Sequence, residues 1–275
     1  MDVAHFIRLI DEHGLSDHQV AILDTVRPAI FLRLGSAEQG QLGQSRIGGV
    51  PDLPTSLAWP ENPRQGGYLA FLLQINLAEL PVFSGNPLPR RGMLYLFADE
   101  SEDYSDQLIV YLGNEQLQPR RLPDDAELII DWYDDLVPHQ LTFLLAPDVP
   151  RWATSDYEDL STLLDDDELA LNDLGRALSD GSIGKLLGHV SGIGHDPRGD
   201  AYVVREVNPD WIYNYEQRGT LDMSQARSWH NLLEIDSSHA VDLMFGDAGY
   251  LQVLIHGEDL IRQNFSRVYV NLESS

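Results

Sequence analysis

Two strand-like segments of the sequence each end in a pair of polar side chains. Gln74 and Asn76 form one pair, and Glu234 and Asp236 form the other. Successive side chains of a strand point to opposite faces, so each pair lies on a single face of its strand. Two carboxylates beside two amides could bind a polar ligand or carry out acid–base chemistry. The alternative is that these groups hydrogen-bond to neighbouring loops and hold them in place, because buried polar groups need partners.

A hydrolase-like site is the enzymatic interpretation of the second pair. It would combine Glu234 and Asp236 with Asp247 and His230, because carboxylates and imidazole are common general acids and bases. The competing interpretation is a binding site without catalysis, which the absence of familiar catalytic motifs favours. Whether the protein is an enzyme stays open at this point.

Motifs that hold a cofactor or a nucleophile are absent from the sequence. It contains no nucleophile elbow, phosphate-binding loop or dinucleotide fingerprint. Ser182 and Lys185 fit a Ser-x-x-Lys pattern, but the companion motifs of acyl-transfer enzymes are missing. We therefore expect no cofactor.

A loop rich in glycine carries several residues that could bind a metal ion, namely His189, His195, Asp196 and Asp200. A metal site needs three or four converging ligands, and this spacing matches no zinc signature. The sequence therefore predicts no metal site.

The candidates for ligand binding are polar residues of the two Gly-rich segments and the first polar pair, with one aromatic residue. They are Arg46, Gln74, Asn76, Trp59, His189, Asp196 and Arg198. For Trp59, as for Trp229, filling the core is the simpler interpretation, because large aromatic side chains are mostly buried.

Composition excludes several classes of protein. The 275 residues include no cysteine, which removes disulfides, thiolate metal sites and cysteine nucleophiles and fits a cytoplasmic location. No targeting or membrane-spanning segment is recognisable. The net charge of −26 argues against nucleic acid and anionic membranes as partners, and favours a solvated surface or a basic protein partner. Residues 124–173 contain 15 acidic residues and a single basic one, Arg151, so the charge is concentrated there.

Hydrophobic periodicity predicts helices near the N-terminus and in the middle, with short strands elsewhere. Helices are expected within residues 2–26 and 155–180, capped at Ser16 and Ser155, with a short one at 258–263. Long Gly-rich loops are expected at 35–67 and 181–199. The expected strands are 29–34, 69–76, 92–97, 108–112, 128–132, 140–145, 201–204, 231–235, 250–255 and 267–270.

The chain repeats itself weakly. Residues 72–76 match 232–236 at an offset of 160, and 92–94 match 249–251 at an offset of 157. We predict one domain over residues 1–275, with repeat halves at about 29–123 and 181–275 joined by the acidic segment 124–180. The fold class would be mainly β, bordering on α+β: a duplicated β roll with a pseudo-twofold axis, near which the two polar pairs converge.

A set of motifs along most of the chain resembles the YwqG-like bacterial family, a family of unknown function. They lie at residues 45–54, 57–60, 71–81, 88–89, 92–97, 229–236, 244–250, 258–260 and 264–269. The resemblance implies a β roll with internal symmetry and peripheral helices, and implies no reaction. Glu234 stands where the family usually has Gln, and Gly194 also replaces an expected Gln, so a role that depends on those amides is in doubt here.

The sequence favours a soluble, monomeric cytoplasmic protein of bacterial type that binds without catalysis. Its ligand would be a small polar molecule or a basic protein partner. The alternatives are an inhibitor of the immunity or antitoxin type, the hydrolase-like enzyme, and a structural protein with no ligand. A strongly acidic inhibitor would associate quickly with a basic toxin through electrostatic steering.

Overall fold

A computed structural model of the protein describes residues 3–61, 66–98, 107–122, 136–164 and 167–274. The strand predicted at 128–132 lies outside the described residues, as does much of the most acidic stretch.

The strands of the described residues are mostly short, and they agree with most of the predicted positions. In chain order they are β1 (Arg27–Leu34), β2 (Arg46–Ile47), β3 (Asp52–Pro54), β4 (Ala70–Asn76), β5 (Met93–Ala98), β6 (Gln107–Tyr111), β7 (Leu117–Pro119), β8 (His139–Asp148), β9 (Gly184–Leu187), β10 (Trp229–Asp236), β11 (Tyr250–His256) and β12 (Val268–Glu273).

The helices lie at the N-terminus, in the middle and between the last strands. They are α1 (Val3–Glu12), α2 (Gln19–Thr25), α3 (Ser155–Ser161), α4 (Glu168–Ser179), α5 (Arg198–Tyr202), α6 (Tyr215–Arg218) and α7 (Gly257–Ile261). No helix in the described part of the chain is long and apolar enough to cross a membrane.

Within the described residues, ten strands form one antiparallel sheet in the order β12-β11-β10-β9-β1-β8-β2-β4-β5-β6, and β3 pairs with β7 beside it. The sheet curls into a half-barrel. This confirms the prediction of a mainly β fold with helices at the N-terminus and in the middle.

The strand order has the same pattern from both edges of the sheet. β1 and β8 pair at the centre, and β9, β10, β11 and β12 follow on one side as β2, β4, β5 and β6 follow on the other. The register shifts between Phe71 and Leu73 in β4 and between Asn231 and Leu233 in β10, at the same offset of 160 as the sequence repeat. This pattern suits the predicted pseudo-twofold arrangement, while an origin by duplication stays a prediction.

The inner face of the curled sheet carries a core to which both halves contribute. Ile75 and Leu94 from one half lie in the same apolar cluster as Ile235 and Leu251 from the other. β4, β5, β10 and β11 are covered on both faces, which explains why their sequences are nearly continuous apolar runs.

Separate apolar clusters lie outside the curl. Helices α1 to α4 pack against one another, and α4 contacts β8. Trp59 packs with Phe71 and Phe97 over β4 and β5. Ala201 of α5 joins Trp229 in a cluster over β10 and β11.

Two sequence predictions about the second Gly-rich stretch are wrong. The segment predicted as a strand at 201–204 belongs to α5 and to the π-helical turn Val203–Val207. The turn that leads into α5 is fixed locally, since the Asp196 carboxylate accepts a hydrogen bond from Arg198 N at 3.1 Å. The predicted loop contains a strand, β9, which begins at Gly184. A Cβ at Gly184 would lie 2.1 Å from the carbonyl oxygen of Glu234, so glycine is needed for strand pairing here.

Candidate functional site

Each half of the sheet buries one cation at the same position of its outer face. Arg46 in β2 pairs with Gln74 in β4, and Lys185 in β9 pairs with Glu234 in β10. Arg46 is 1% exposed and Lys185 is 2% exposed. A buried charge is costly unless it is paired, so the partners of these two cations define the two sites.

In the first half, the chain itself supplies the partner of the cation. Arg46 Nη1 lies 2.9 Å from Asp52 Oδ2, and Arg46 Nη2 donates to the carbonyl of Val50. The same carboxylate oxygen accepts from Gly43 N at 2.7 Å and from Gln74 Nε2 at 3.1 Å. Asp52 is therefore an internal carboxylate bound by three donors.

The first polar pair, Gln74 and Asn76, hydrogen-bonds to neighbouring loops and holds them in place. Gln74 Oε1 accepts from Asp52 N at 2.8 Å, and Gln74 Nε2 donates to Gln44 O at 2.8 Å. Asn76 Nδ2 donates to Gly43 O at 2.9 Å. The amides thus fix the segment between β1 and β4, beside a pocket of about 610 Å³ that Arg46 and Asp52 help to line.

Trp59 is part of the core of the first half. It is buried, its indole N–H donates to Leu69 O at 2.8 Å, and its ring lies edge-on to Phe97 with centroids 5.5 Å apart. This placement matches the simpler interpretation of that residue.

In the second half, the cation lies between two carboxylates. Lys185 Nζ is 2.8 Å from Asp148 Oδ2 and 3.8 Å from Glu234 Oε2. Asp148 also contacts Arg151 Nη2 at 3.1 Å and accepts from His189 N at 2.9 Å. Burial alone would raise the pKa of Asp148, but Lys185, Arg151 and His189 together hold it well below its usual range.

The second polar pair lies on the same outer face of β10. Glu234 Oε2 accepts from Gln252 Nε2 at 2.9 Å. Asp236 pairs with Tyr250 on β11. Burial first, and then the charge of Glu234, raise the pKa of Asp236 to about 7, against the opposing effect of Lys185 and Arg151.

Two buried polar atoms around this pair have no hydrogen-bond partner among the described residues. They are the hydroxyl of Tyr250 and Oε1 of Gln252. Burial and the nearby carboxylates of Glu234, Glu273 and Asp236 raise the pKa of Tyr250 well above its usual value, so its hydroxyl stays protonated.

A pocket of about 710 Å³ opens above the second polar pair. Its lining is mixed, with charged, hydroxyl and aromatic side chains. The charged and aromatic residues that matter most are Arg151, Arg176, Lys185, Glu234, Asp236 and Trp152, with hydroxyls from Ser179, Ser182, Ser191 and Tyr250. Trp152 is 56% exposed, so a flat apolar surface stands at the mouth of a polar cavity.

His189, Asp196 and Arg198 come together in a salt-bridge network apart from this pocket's lining. Arg198 lies 2.6 Å from Asp196 and 3.2 Å from Asp156, and His189 Nδ1 lies 3.3 Å from Asp156. Asp196 also accepts from Ser155 Oγ at 2.8 Å. The network ties α3 to the loop before α5, a structural task that uses most of the polar atoms involved.

The structure divides the four residues of the hydrolase hypothesis. Glu234 and Asp236 line the pocket, whereas His230 and Asp247 do not belong to its lining. Burial, followed by the charges of Arg27 and Arg198, lowers the pKa of His230 to about 4, so this imidazole is neutral at pH 7. Asp247 lies in the exposed turn before β11.

The expectation that the two polar pairs converge is wrong. β4 and β10 are five strand positions apart in the sheet, which is about 24 Å along the sheet at about 4.8 Å per strand. The strand order therefore keeps the two pairs apart. Across the described residues, no cluster of three or more metal-ligating side chains occurs.

Sequence reasoning missed Lys185 and Arg151, which line the pocket with the second polar pair, and Asp148, which pairs with both of them beneath the lining. One signal pointed to Lys185: it is the only lysine of the sequence. A second signal was its position three residues before Gly188, as Arg46 precedes Gly49. Asp148 had no such signal, because only the pairing of β8, β1 and β9 brings it to Lys185.

The protein is therefore a half-barrel with a polar pocket on the outer face of its sheet. The chain belongs to the family described as "Domain of unknown function (DUF1963)", whose sequence profile matches residues 45–273. No curated protein matches the chain. The matched region includes both buried cations and leaves α1, α2 and β1 outside it.

Proposed function

We propose that this protein is a binding module without catalytic activity, and that the pocket over Lys185, Glu234 and Asp236 takes a small polar ligand. The observation that carries the proposal is the buried hydroxyl of Tyr250, which lines the 710 Å³ pocket and has no hydrogen-bond partner among the described residues. An unpaired buried polar group costs about 1–3 kcal/mol, so a ligand that supplies partners would be favoured.

The first half supports the proposal by contrast. There the equivalent face is occupied by Asp52, and the hydroxyl of Tyr95 donates to Asp52 O at 2.6 Å. Tyr95 and Gln252 take equivalent positions, opposite Gln74 and Glu234. The chain itself fills the face beside Gln74 in the first half, whereas a pocket lies beside Glu234 in the second half.

Catalysis has less support than binding. The hydrolase hypothesis combined Glu234 and Asp236 with His230 and Asp247, and neither His230 nor Asp247 lines the pocket. The YwqG-like resemblance agrees with membership of a family of unknown function and adds no reaction. The proposal includes a cytoplasmic location and a bacterial origin.

A basic protein partner is the second candidate, including an inhibitor of the immunity type. The net charge of −26 and the concentration of acidic residues in 124–173 favour it. Exposed charges are screened by salt, so affinity for such a partner would fall steeply between 50 and 300 mM salt. Binding that is independent of salt would contradict this version.

The pocket proposal is tested with a panel of small polar compounds that includes sugars, polyols, amino acids and amines. Binding is measured by thermal shift and confirmed by calorimetry, on the wild type and on Ser191→Trp, which places a large ring in the pocket. The matched control is Ser84→Trp, a change in an exposed turn. We expect at least one compound to bind the wild type and the control and to fail on Ser191→Trp. If no compound binds, or if Ser191→Trp binds equally well, the proposal is wrong.

A further inference from the structure

We propose that the pocket recognises its ligand through a cationic group, a primary ammonium or a guanidinium, that binds between Glu234 and Asp236. The inference rests on the proposed function, since it names the class of small polar ligand for the same pocket. The ligand would be a small amine or guanidine, such as a basic amino acid or a related molecule.

The count of charges at the pocket floor is the first argument. Lys185 and Arg151 both lie against Asp148, at 2.8 and 3.1 Å. Glu234 shares Lys185 at 3.8 Å. Among the described residues, no cation lies within ion-pair distance of Asp236. The floor therefore holds two cations and three carboxylates, and one more positive charge would balance it.

The other cation of the pocket lining does not supply that charge. Arg176 Nη1 lies 2.9 Å from Asp173, and both side chains are largely exposed. It is thus paired at the rim, outside the buried cluster. Among the described residues, no cation of the pocket lining is therefore left to pair with Asp236.

The comparison of the two halves is the second argument. In the first half, Arg46 and Gln74 are donors and the group between them is the carboxylate of Asp52. In the second half, Glu234 takes the position that Gln74 has in the first half. A carboxylate that only accepts hydrogen bonds therefore stands where the first half has an amide that donates. A site of acceptors is complementary to a group that donates several hydrogen bonds, as ammonium and guanidinium do.

The partnerless buried atoms are the third argument. Gln252 is wholly buried, its amide N–H donates to Glu234, and its Oε1 has no partner among the described residues. Tyr250 pairs with Asp236 across the strands, and its hydroxyl also has no hydrogen-bond partner among the described residues. Of these two residues, Tyr250 lines the pocket, and its hydroxyl can accept a hydrogen bond from a ligand N–H. Arg151 Nε, on the same lining, is also buried without a partner among the described residues, so the unpartnered atoms include a donor as well as an acceptor.

The test uses the full chain and pairs of amino acids that differ in one charge. L-arginine is compared with L-citrulline, and L-lysine with L-norleucine, by calorimetry at pH 8. The variants are Asp236→Asn and Glu234→Gln, and the matched control is Asp242→Asn, an exposed residue with positive φ that asparagine tolerates. Circular dichroism checks that each variant is folded.

We expect L-arginine or L-lysine to bind the wild type and Asp242→Asn at least tenfold more tightly than its neutral counterpart. Asp236→Asn should lose at least tenfold in affinity for the cationic compound, and Glu234→Gln should also weaken it. If Glu234→Gln does not fold, Asp236→Asn still decides the question. Equal binding of the neutral compounds, or unchanged affinity in Asp236→Asn, would overturn the inference.

The pH dependence gives a second readout. Asp236 faces Glu234 on its own strand, Lys185 on β9, Arg151 after β8 and Tyr250 on β11. A cation prefers the ionised carboxylate, so protonation of Asp236 competes with binding. With a pKa of about 7, affinity should fall about tenfold from pH 8 to pH 6 in the wild type, and much less in Asp236→Asn. An affinity that does not fall in the wild type would also overturn the inference.

The panel separates failure of this inference from failure of the proposed function. Binding of sugars or polyols that Ser191→Trp abolishes, without binding of any cationic compound, leaves a binding module with a different ligand class. Absence of binding by every compound removes both proposals.

Discussion

The two halves of the sheet place a buried cation at the same position and solve the problem of its charge differently. In the first half, Arg46 is matched by Asp52 and the surrounding amides, and the site is closed by the chain. In the second half, Lys185 shares two carboxylates, a third carboxylate is left over, and a pocket lies above them. The comparison shows that one fold can hold a site closed by the chain and a site open to solvent. A few side chains determine whether each site is closed or open.

Removal of the internal carboxylate should have the largest effect on the first half. Asp52→Ala leaves the guanidinium of Arg46 buried without its counter-charge, so the free energy of unfolding should fall by about 3–5 kcal/mol. Urea unfolding measures it. The control is Asp159→Ala, whose ion pair with Arg227 is exposed and should contribute less than about 1 kcal/mol. Equal losses in the two variants would contradict the assignment of a buried, structural ion pair.

A charge exchange between the halves should have an intermediate effect. Gln74→Glu gives the first half the carboxylate of the second, directly against Asp52, and removes one of the three donors to Asp52 Oδ2. We expect a loss of about 2–3 kcal/mol at pH 7. The loss should become smaller at pH 4, where the new carboxylate can be protonated. A loss that is the same at both pH values would show that repulsion is not its cause.

The surplus carboxylate of the second half should have the smallest effect, and one that depends on pH. Asp236 is protonated in the folded state up to a pKa of about 7 and ionises near its ordinary, lower pKa when unfolded. The folded protein therefore binds more protons between these values, and this group's contribution to stability is lost as the pH rises from about 4 to 7.

Asp236→Asn should remove that loss. We expect the variant to gain about 1–2 kcal/mol relative to the wild type between pH 5 and pH 8, a value reduced from the full linkage because the side chain is only partly buried. Urea unfolding at pH 5, 6.5 and 8 measures it, with Asp242→Asn as the control. A difference in stability between wild type and variant that does not change with pH would show that the pKa of Asp236 is not raised in the folded state.

Much of the fold could be predicted from apolar runs, because strands covered on both faces leave a strong signal. β4, β5, β10 and β11 were all located in this way. The alternation of side chains also placed Glu234 and Asp236 correctly on one face. Superposition of residues 69–97 on 229–254 tests the repeat, and strands that fail to align would contradict it.

Local signals failed where tertiary contacts decide the outcome. The helix predicted to start with a cap at Ser155 is capped by Thr154, whose hydroxyl accepts from Tyr157 N, while Ser155 is used to bind Asp196. Ser16 makes no cap and donates to Asp11. The floor of the pocket could not be predicted for the same reason, because Asp148 meets Lys185 only through strand pairing across 37 residues.

The central position of β1 has a consequence for where this domain can be cut. The family match begins at residue 45, yet β1 at Arg27–Leu34 pairs with both β8 and β9 and is the seam between the halves. A protein shortened to the matched region would lose that seam and expose the edges of two strands, which are open to pairing with other chains. Such a truncated chain should self-associate, and the minimum folding unit should therefore include the N-terminal strand that the family boundary leaves out.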